Sequence, residues 1–124
     1  NDEANTSVVG EIVKTSGFYD YNEKYINNTV TLEIPAQISD EVSAKVREYS
    51  AKAFRAIDGS GLTRCDFFLT ETNDIYINEV NTLPGFTQFS MYPLLWEKTG
   101  ISYKDLVNEL IQLALKRYKD RQNA

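Results

Sequence analysis

One stretch constrains this chain more than any other: LTRCDFFLTETNDIYINEVN, from Leu62 to Asn81. Two runs rich in β-branched and aromatic residues, Leu62 to Thr70 and Ile75 to Val80, flank the turn formers Glu71, Thr72, Asn73 and Asp74. That is the pattern of a β-hairpin. Side chains alternate faces along a strand, so Arg64 and Asp66 share a face, as do Glu79 and Asn81. A turn centred between Thr72 and Asn73 pairs Asp66 with Glu79 and Arg64 with Asn81. One patch then holds two carboxylates, an amide and a guanidinium. Like charges directly opposite destabilise a sheet unless something neutralises them.

Composition narrows what the neutralising agent can be. The chain has no histidine and one cysteine, Cys65. Histidine bases, histidine metal sites and internal disulfides are therefore excluded, and a structural zinc site is disfavoured. A lone cysteine fits a reducing cytoplasm. Any metal must be held by oxygen ligands, which favours magnesium, calcium or manganese. The net charge of −5 argues against a nucleic-acid-coating surface. No apolar run approaches the ~20 residues of a membrane span, and no secretory pattern opens the sequence. With 42% hydrophobic and 25% charged residues over 124 positions, the chain suits one domain or a piece of a larger one. The absence of an initiator methionine at Asn1 points to the second.

Around the hairpin the pattern is mixed. Val8 to Lys14 and Thr29 to Ile34 read as strands, with Val30, Leu32 and Ile34 on one face. Between them, TSGFYDYNEKYINN (Thr15 to Asn28) follows neither period and reads as a long ordered loop. It is either a lid over a site or a surface loop pinned by its tyrosines, and the pattern leaves both open. Ser39 or Asp40 caps a helix running to Ile57, with Val42, Val46, Tyr49, Ala53, Ala56 and Ile57 as its apolar stripe. Lys45, Arg47, Glu48 and Lys52 face water, and Gly59-Ser60-Gly61 ends the helix. After the hairpin, Thr82 to Ser90 is non-periodic, with a tight turn at Pro84-Gly85. A short helix is expected within Met91 to Gly100. A last helix runs from the Ser102 cap to about Arg117, with Val107, Leu110, Ile111 and Ala114 inward and the chain fraying from Asp120. The expected class is α+β: an antiparallel sheet with flanking helices, the hairpin laying Cys65, Phe67 and Leu69 on them.

The polar hairpin face suits a hard divalent cation, since magnesium takes one or two carboxylates and completes its shell with phosphates and water. Arg64 adds a fork that fits phosphate. The competing reading is a solvated face carrying an Arg–Asp pair, and spacing alone does not choose. Neither a GxxxxGK[ST] loop nor a GxGxxG is present. Phosphates would fall to Lys14, Lys24 and backbone N–H groups near Gly85.

The run RCDFFLTETNDIYINEVNTLPGFTQFSMYPLLWEKTGISY, Arg64 to Tyr103, closely resembles the C-terminal part of the D-alanine–D-alanine ligases of the ATP-grasp superfamily. GEI at Gly10 to Ile12, FYDYNEKY at Phe18 to Tyr25 and IPA at Ile34 to Ala36 match in order and spacing. The resemblance implies residues 1–124 as the C-terminal part of an ATP-grasp catalytic domain, with 13–30 as its active-site loop. It places two magnesium or manganese ions on Asp66, Glu79 and Asn81, with Glu79 able to bridge them. Arg64 and the Gly85 N–H match the groups that meet the transferred phosphate and the oxyanion. Ser90 and Met91 match the pair that receives the second D-alanine's carboxylate, Met91 through its backbone. Lys24 matches a lysine reaching ATP phosphate, Phe18 and Tyr19 help shape the nucleotide pocket, and Tyr25 closes the loop and favours an amine nucleophile.

The implied reaction joins two D-alanines with ATP, through an acyl phosphate, for peptidoglycan synthesis. The expected setting is a cytoplasmic homodimer that engages neither nucleic acid nor membrane. Two departures stand out. Val9 occupies a position where the family often has proline. The family's N-terminal domain and the first half of its ATP-grasp domain have no counterpart in this sequence, so the chain alone is expected to be inactive. The rivals are a D-alanine–D-lactate ligase, against which Tyr25 speaks, and a non-catalytic divalent-binding module of the same fold.

Overall fold

The computed structural model describes residues 3–14 and 30–123. The loop from Thr15 to Asn28, with Phe18, Tyr19, Lys24 and Tyr25, lies outside the described residues. Among the described residues the elements follow in order: β1 (Glu11–Lys14), β2 (Val30–Glu33), α1 (Asp40–Ala56), β3 (Arg64–Leu69), β4 (Ile75–Asn81), α2 (Met91–Thr99) and α3 (Tyr103–Gln122). The α+β expectation holds. The antiparallel pairing holds too, with the described strands in two antiparallel pairs, β1–β2 and β3–β4.

Each helix begins where its sequence provides a cap. Ser39 Oγ accepts from the Val42 N–H at 3.2 Å, and Ser102 Oγ accepts from the Asp105 N–H at 3.2 Å. Each satisfies an amide that the helix itself cannot. Acidic Asp40 and Glu41 open α1 and Arg55 closes it, matching the helix dipole. Val42 and Val46 are buried, whereas Tyr49 in the middle of the expected stripe and Ile57 at its end are exposed. The helix stops differently from the expectation. Asp58, not a glycine, takes the left-handed conformation, at φ 53°.

Gly100 does end α2 as a glycine should, at φ 115°. Its N–H donates to the Glu97 carbonyl at 3.1 Å, and the Ile101 N–H reaches Trp96 O at 2.9 Å. This paired closure needs a left-handed residue where α2 ends. Pro93, fully buried, sits in the first turn of α2, where its missing N–H breaks no helical bond. The last helix runs five residues past Arg117, because no glycine or proline follows Gly100 to stop it. Its buried residue is Leu106, one step round from the expected Val107. Val107 and Leu110 are half-buried, and Ile111 and Ala114 face outward.

The buried hydrophobic core among the described residues is Val42, Val46, Tyr92 and Leu106. Links from the N-terminal segment tie the pieces together. Arg47, expected to face water, donates through Nε to Thr6 Oγ1 at 3.0 Å and through Nη2 to Thr6 O at 2.8 Å. The Ala36 N–H reaches Val9 O, and the Val8 N–H reaches Thr99 Oγ1 at 3.0 Å. Between this segment, α1, the hairpin and the α2–α3 pair lies an open groove of about 1550 Å³, lined by Val46, Phe54, Cys65, Phe67, Leu95 and Leu110 among others.

Candidate active site

The hairpin places its polar residues as the alternation requires. Arg64 lies opposite Asn81 and Asp66 opposite Glu79. Beyond them the ladder slips by one. Phe67 faces Ile77, Phe68 faces Tyr76 and Leu69 faces Ile75, leaving Asn78 as an extra residue. The expected turn centre holds for the site pairs and fails for the tip. The reason is the connection itself, where the Asn73 N–H donates to Thr70 O, the Thr70 N–H to Asp74 O and the Asp74 N–H to Thr70 Oγ1, and Asn73 takes φ 65°. The bulge at Asn78 absorbs the mismatch and keeps Glu79 opposite Asp66. On the reverse face Cys65 and Phe67 are half-buried as expected, but Leu69 is exposed.

The opposed carboxylates have a neutralising partner. Arg64 grips Asp66 with both arms, Nε to Oδ1 at 2.9 Å and Nη2 to Oδ2 at 3.0 Å. Both side chains are less than one-third exposed. The Asp66 hydrogen bond holds the guanidinium above its ordinary pKa, against an opposing effect of burial, with the Asp66 and Glu79 charges adding to the rise. Both Asp66 oxygens are thus engaged, and the Asn81 amide oxygen accepts from the Leu83 N–H at 3.2 Å. Glu79 is exposed.

These engagements leave room for a cation. A carboxylate offers about four lone-pair sites and an amide oxygen two, so Asp66 and Asn81 retain acceptors. Arg64 likewise has three of its five N–H groups to spare. No cluster of three or more His, Cys, Asp or Glu occurs among the described residues. Two carboxylates and an amide match the partial ligand set of magnesium and not a closed cage. The donor chemistry therefore fits.

Beyond β4 the chain bends at 82–83, around the Asn81–Leu83 bond, and turns at 88–89, where the Ser90 N–H donates to Thr87 O. The expected tight turn at Pro84-Gly85 is displaced to either side of it. Pro84 is buried and Gly85 exposed. A Cβ on Gly85 would stand 3.2 Å from Ser90 Oγ, so the position favours glycine for closeness and not for its φ. The Gly85 N–H has no acceptor among the described residues. Three rings brace this loop. Phe86 lies 5.8 Å from Tyr92 and 5.5 Å from Tyr103, centroid to centroid, and the Tyr103 hydroxyl donates to Phe86 O at 2.6 Å.

Ser90 precedes α2 in the capping position, yet its hydroxyl does not cap the helix. It meets Thr87 instead, accepting from the Thr87 N–H at 3.0 Å and lying 2.8 Å from Thr87 Oγ1. Met91 opens the helix, and its Cε lies 3.1 Å from where a Cβ on Gly10 would be. Its side chain is thus directed at β1's approach, which leaves the backbone as its only polar offering. Thr87 was not singled out in the sequence. The signal was available: a threonine three residues before a serine whose helix has proline in its first turn.

A model of the family described as D-Ala D-Ala ligase C-terminus matches residues 1–112. A D-alanine–D-alanine ligase of Enterococcus faecalis is 57% identical over 119 residues, 96% of this chain and 34% of that protein. One from Bacillus cytotoxicus is 56% identical over 122 residues, 98% of this chain and 34% of that protein. Among solved structures, D-alanine–D-alanine ligase from Bacillus anthracis aligns with a TM-score of 0.77 at 30% identity, covering 93% of this chain and 38% of its own. VanG D-Ala:D-Ser ligase from Enterococcus faecalis aligns with a TM-score of 0.77 at 38% identity, covering 90% and 33%. The chain spans about a third of the length of the curated relatives it matches.

Proposed function

This chain belongs to the D-alanine–D-alanine ligase family, to the part that forms its C-terminus, and from that premise we propose that it supplies half of an ATP-dependent ligase site joining two D-alanines. One observation carries the reading: Asp66 and Glu79 stand opposite one another, on one face with Arg64 and Asn81.

In the proposed reaction a carboxylate oxygen of one D-alanine attacks the terminal phosphorus of ATP and ADP leaves. The amine of a second D-alanine then attacks the acyl carbon, loses a proton, and phosphate departs. Asp66, Glu79 and Asn81 would hold two magnesium or manganese ions, which supply charge neutralisation for the phosphates. Arg64 offers its unspent N–H groups to the transferred phosphoryl group. The Gly85 N–H, without an acceptor among the described residues, would donate to the oxyanion. Ser90 and the Met91 backbone, at the positive end of α2, suit the second substrate's carboxylate. Lys24, Phe18 and Tyr19 serve the nucleotide, and Tyr25 with the loop at 13–30 excludes the water that would hydrolyse an acyl phosphate. Residues 1–124 then form the C-terminal part of the ATP-grasp domain. The dipeptide would enter peptidoglycan synthesis, made by a cytoplasmic homodimer. No helix among the described residues is long and apolar enough to cross a membrane.

The test is D-alanine-dependent ADP release by the protein that carries this chain. Asp66→Asn and Glu79→Gln are each expected to lower kcat by about 10²–10³, the loss typical of removing one charge-stabilising group. Activity left intact in both would overturn the reading. Comparing D-alanine with D-lactate as second substrate separates this ligase from the depsipeptide-forming alternative.

A further inference from the structure

Serines precede α1, α2 and α3, and one of them behaves differently. Ser39 and Ser102 accept the N–H of the third helical residue, Val42 and Asp105. The third residue of α2 is Pro93, which has no N–H to give. Ser90 is therefore released from that capping bond, and its hydroxyl turns to Thr87.

The 2.8 Å hydroxyl contact admits a donor at either end, and an anion in front of Ser90 would select the arrangement in which Thr87 donates. The Phe89 N–H donates to Thr87 Oγ1 at 3.3 Å. The Thr87 N–H donates to Ser90 Oγ at 3.0 Å. With the Thr87 hydroxyl donating across the 2.8 Å contact, both lone pairs of Ser90 Oγ are filled. The Ser90 proton is then left over, and it can only be donated outward. A relay in which each oxygen accepts before it donates strengthens the last donor. Its natural acceptor is an anion such as a carboxylate. Gly85 leaves the hydroxyl this position, because a Cβ there would stand 3.2 Å from it.

We propose that Thr87 is a positioning residue, which through its hydroxyl fixes Ser90 as an outward donor to the carboxylate of the second amino acid. The proposal rests on the reading of Ser90 given above. It is tested by steady-state kinetics of the protein that carries this chain. Thr87→Val keeps the shape and the backbone N–H but removes the hydroxyl. It should raise KM for the second D-alanine about 10-fold, the weight of one such hydrogen bond. Its kcat and its KM for ATP should stay within twofold of the parent, and Thr87→Ser should restore KM. Thr87→Ala gives the same comparison if the valine variant does not fold. If Ser90→Ala raises this KM while the Thr87 variants do not, the positioning role is overturned and the reading of Ser90 stands. If Ser90→Ala changes nothing, the reading of Ser90 itself fails, and this proposal with it.

Discussion

Arg64 shows how one side chain decides whether an unfavourable pair is tolerable. Asp66 and Glu79 face each other across the ladder, and the Arg64 fork holds a positive charge on Asp66 that Glu79 also feels. Charge-assisted, bidentate bonds of this kind are stronger than an exposed ion pair. Its neighbour Cys65 faces the other way, toward Ser50 O at 3.9 Å. Burial, more than any other cause, pushes the Cys65 thiol above its ordinary pKa; the Ser50 side chain opposes this and the Asp66 charge adds to it. The native state thus favours the neutral thiol. Its contribution to stability is present below the cysteine pKa of the unfolded chain and is lost as pH rises through the native one. Alkylation by iodoacetamide, followed against pH, should reach half its maximal rate at higher pH in native protein than in urea. Coincident profiles would refute this.

At the scale of elements, local chemistry sets the boundaries and the connections set the register. The Ser102 cap and the Gly100 closure lie two residues apart, so α2 and α3 are separated by little more than their own caps. Gly100→Ala forces a side chain into a left-handed conformation and should cost about 1–2 kcal/mol. The loss should appear in urea unfolding midpoints with the m-value unchanged. A variant as stable as the parent would show that the closure tolerates a Cβ. The hairpin teaches a different lesson. Its tip and its site are one residue out of step, and the bulge at Asn78 reconciles them.

For the molecule as a whole, the modest core is the governing fact. Ile111, Leu115 and Tyr118 form a stripe at helical spacing on α3 and are 53%, 53% and 65% exposed. Phe68 and Tyr76, paired across the hairpin, are also exposed. Apolar surface on this scale gains stability only when something covers it. The chain matches about a third of its relatives' length, and the resemblance assigns most nucleotide and first-substrate contacts to the remainder. The chain by itself is therefore expected to show no D-alanine-dependent ADP release. Sustained turnover by it would refute this.

What the sequence by itself determined was local or periodic. Alternation set the faces of Arg64, Asp66, Glu79 and Asn81, the Ser39 and Ser102 caps set helix starts, and the motifs set the family. These depend on neighbours a few residues away, which a linear pattern carries. The tertiary structure decided what depends on distant partners. Leu106 is the buried residue of α3, which packs against α2, and Val107 is half-buried. Arg47 serves Thr6 and not water, because the N-terminal segment returns across α1. The Asp66–Glu79 opposition, a puzzle on paper, is settled in space by the Arg64 fork, whose grip on Asp66 no spacing rule could distinguish from an arm reaching into solvent.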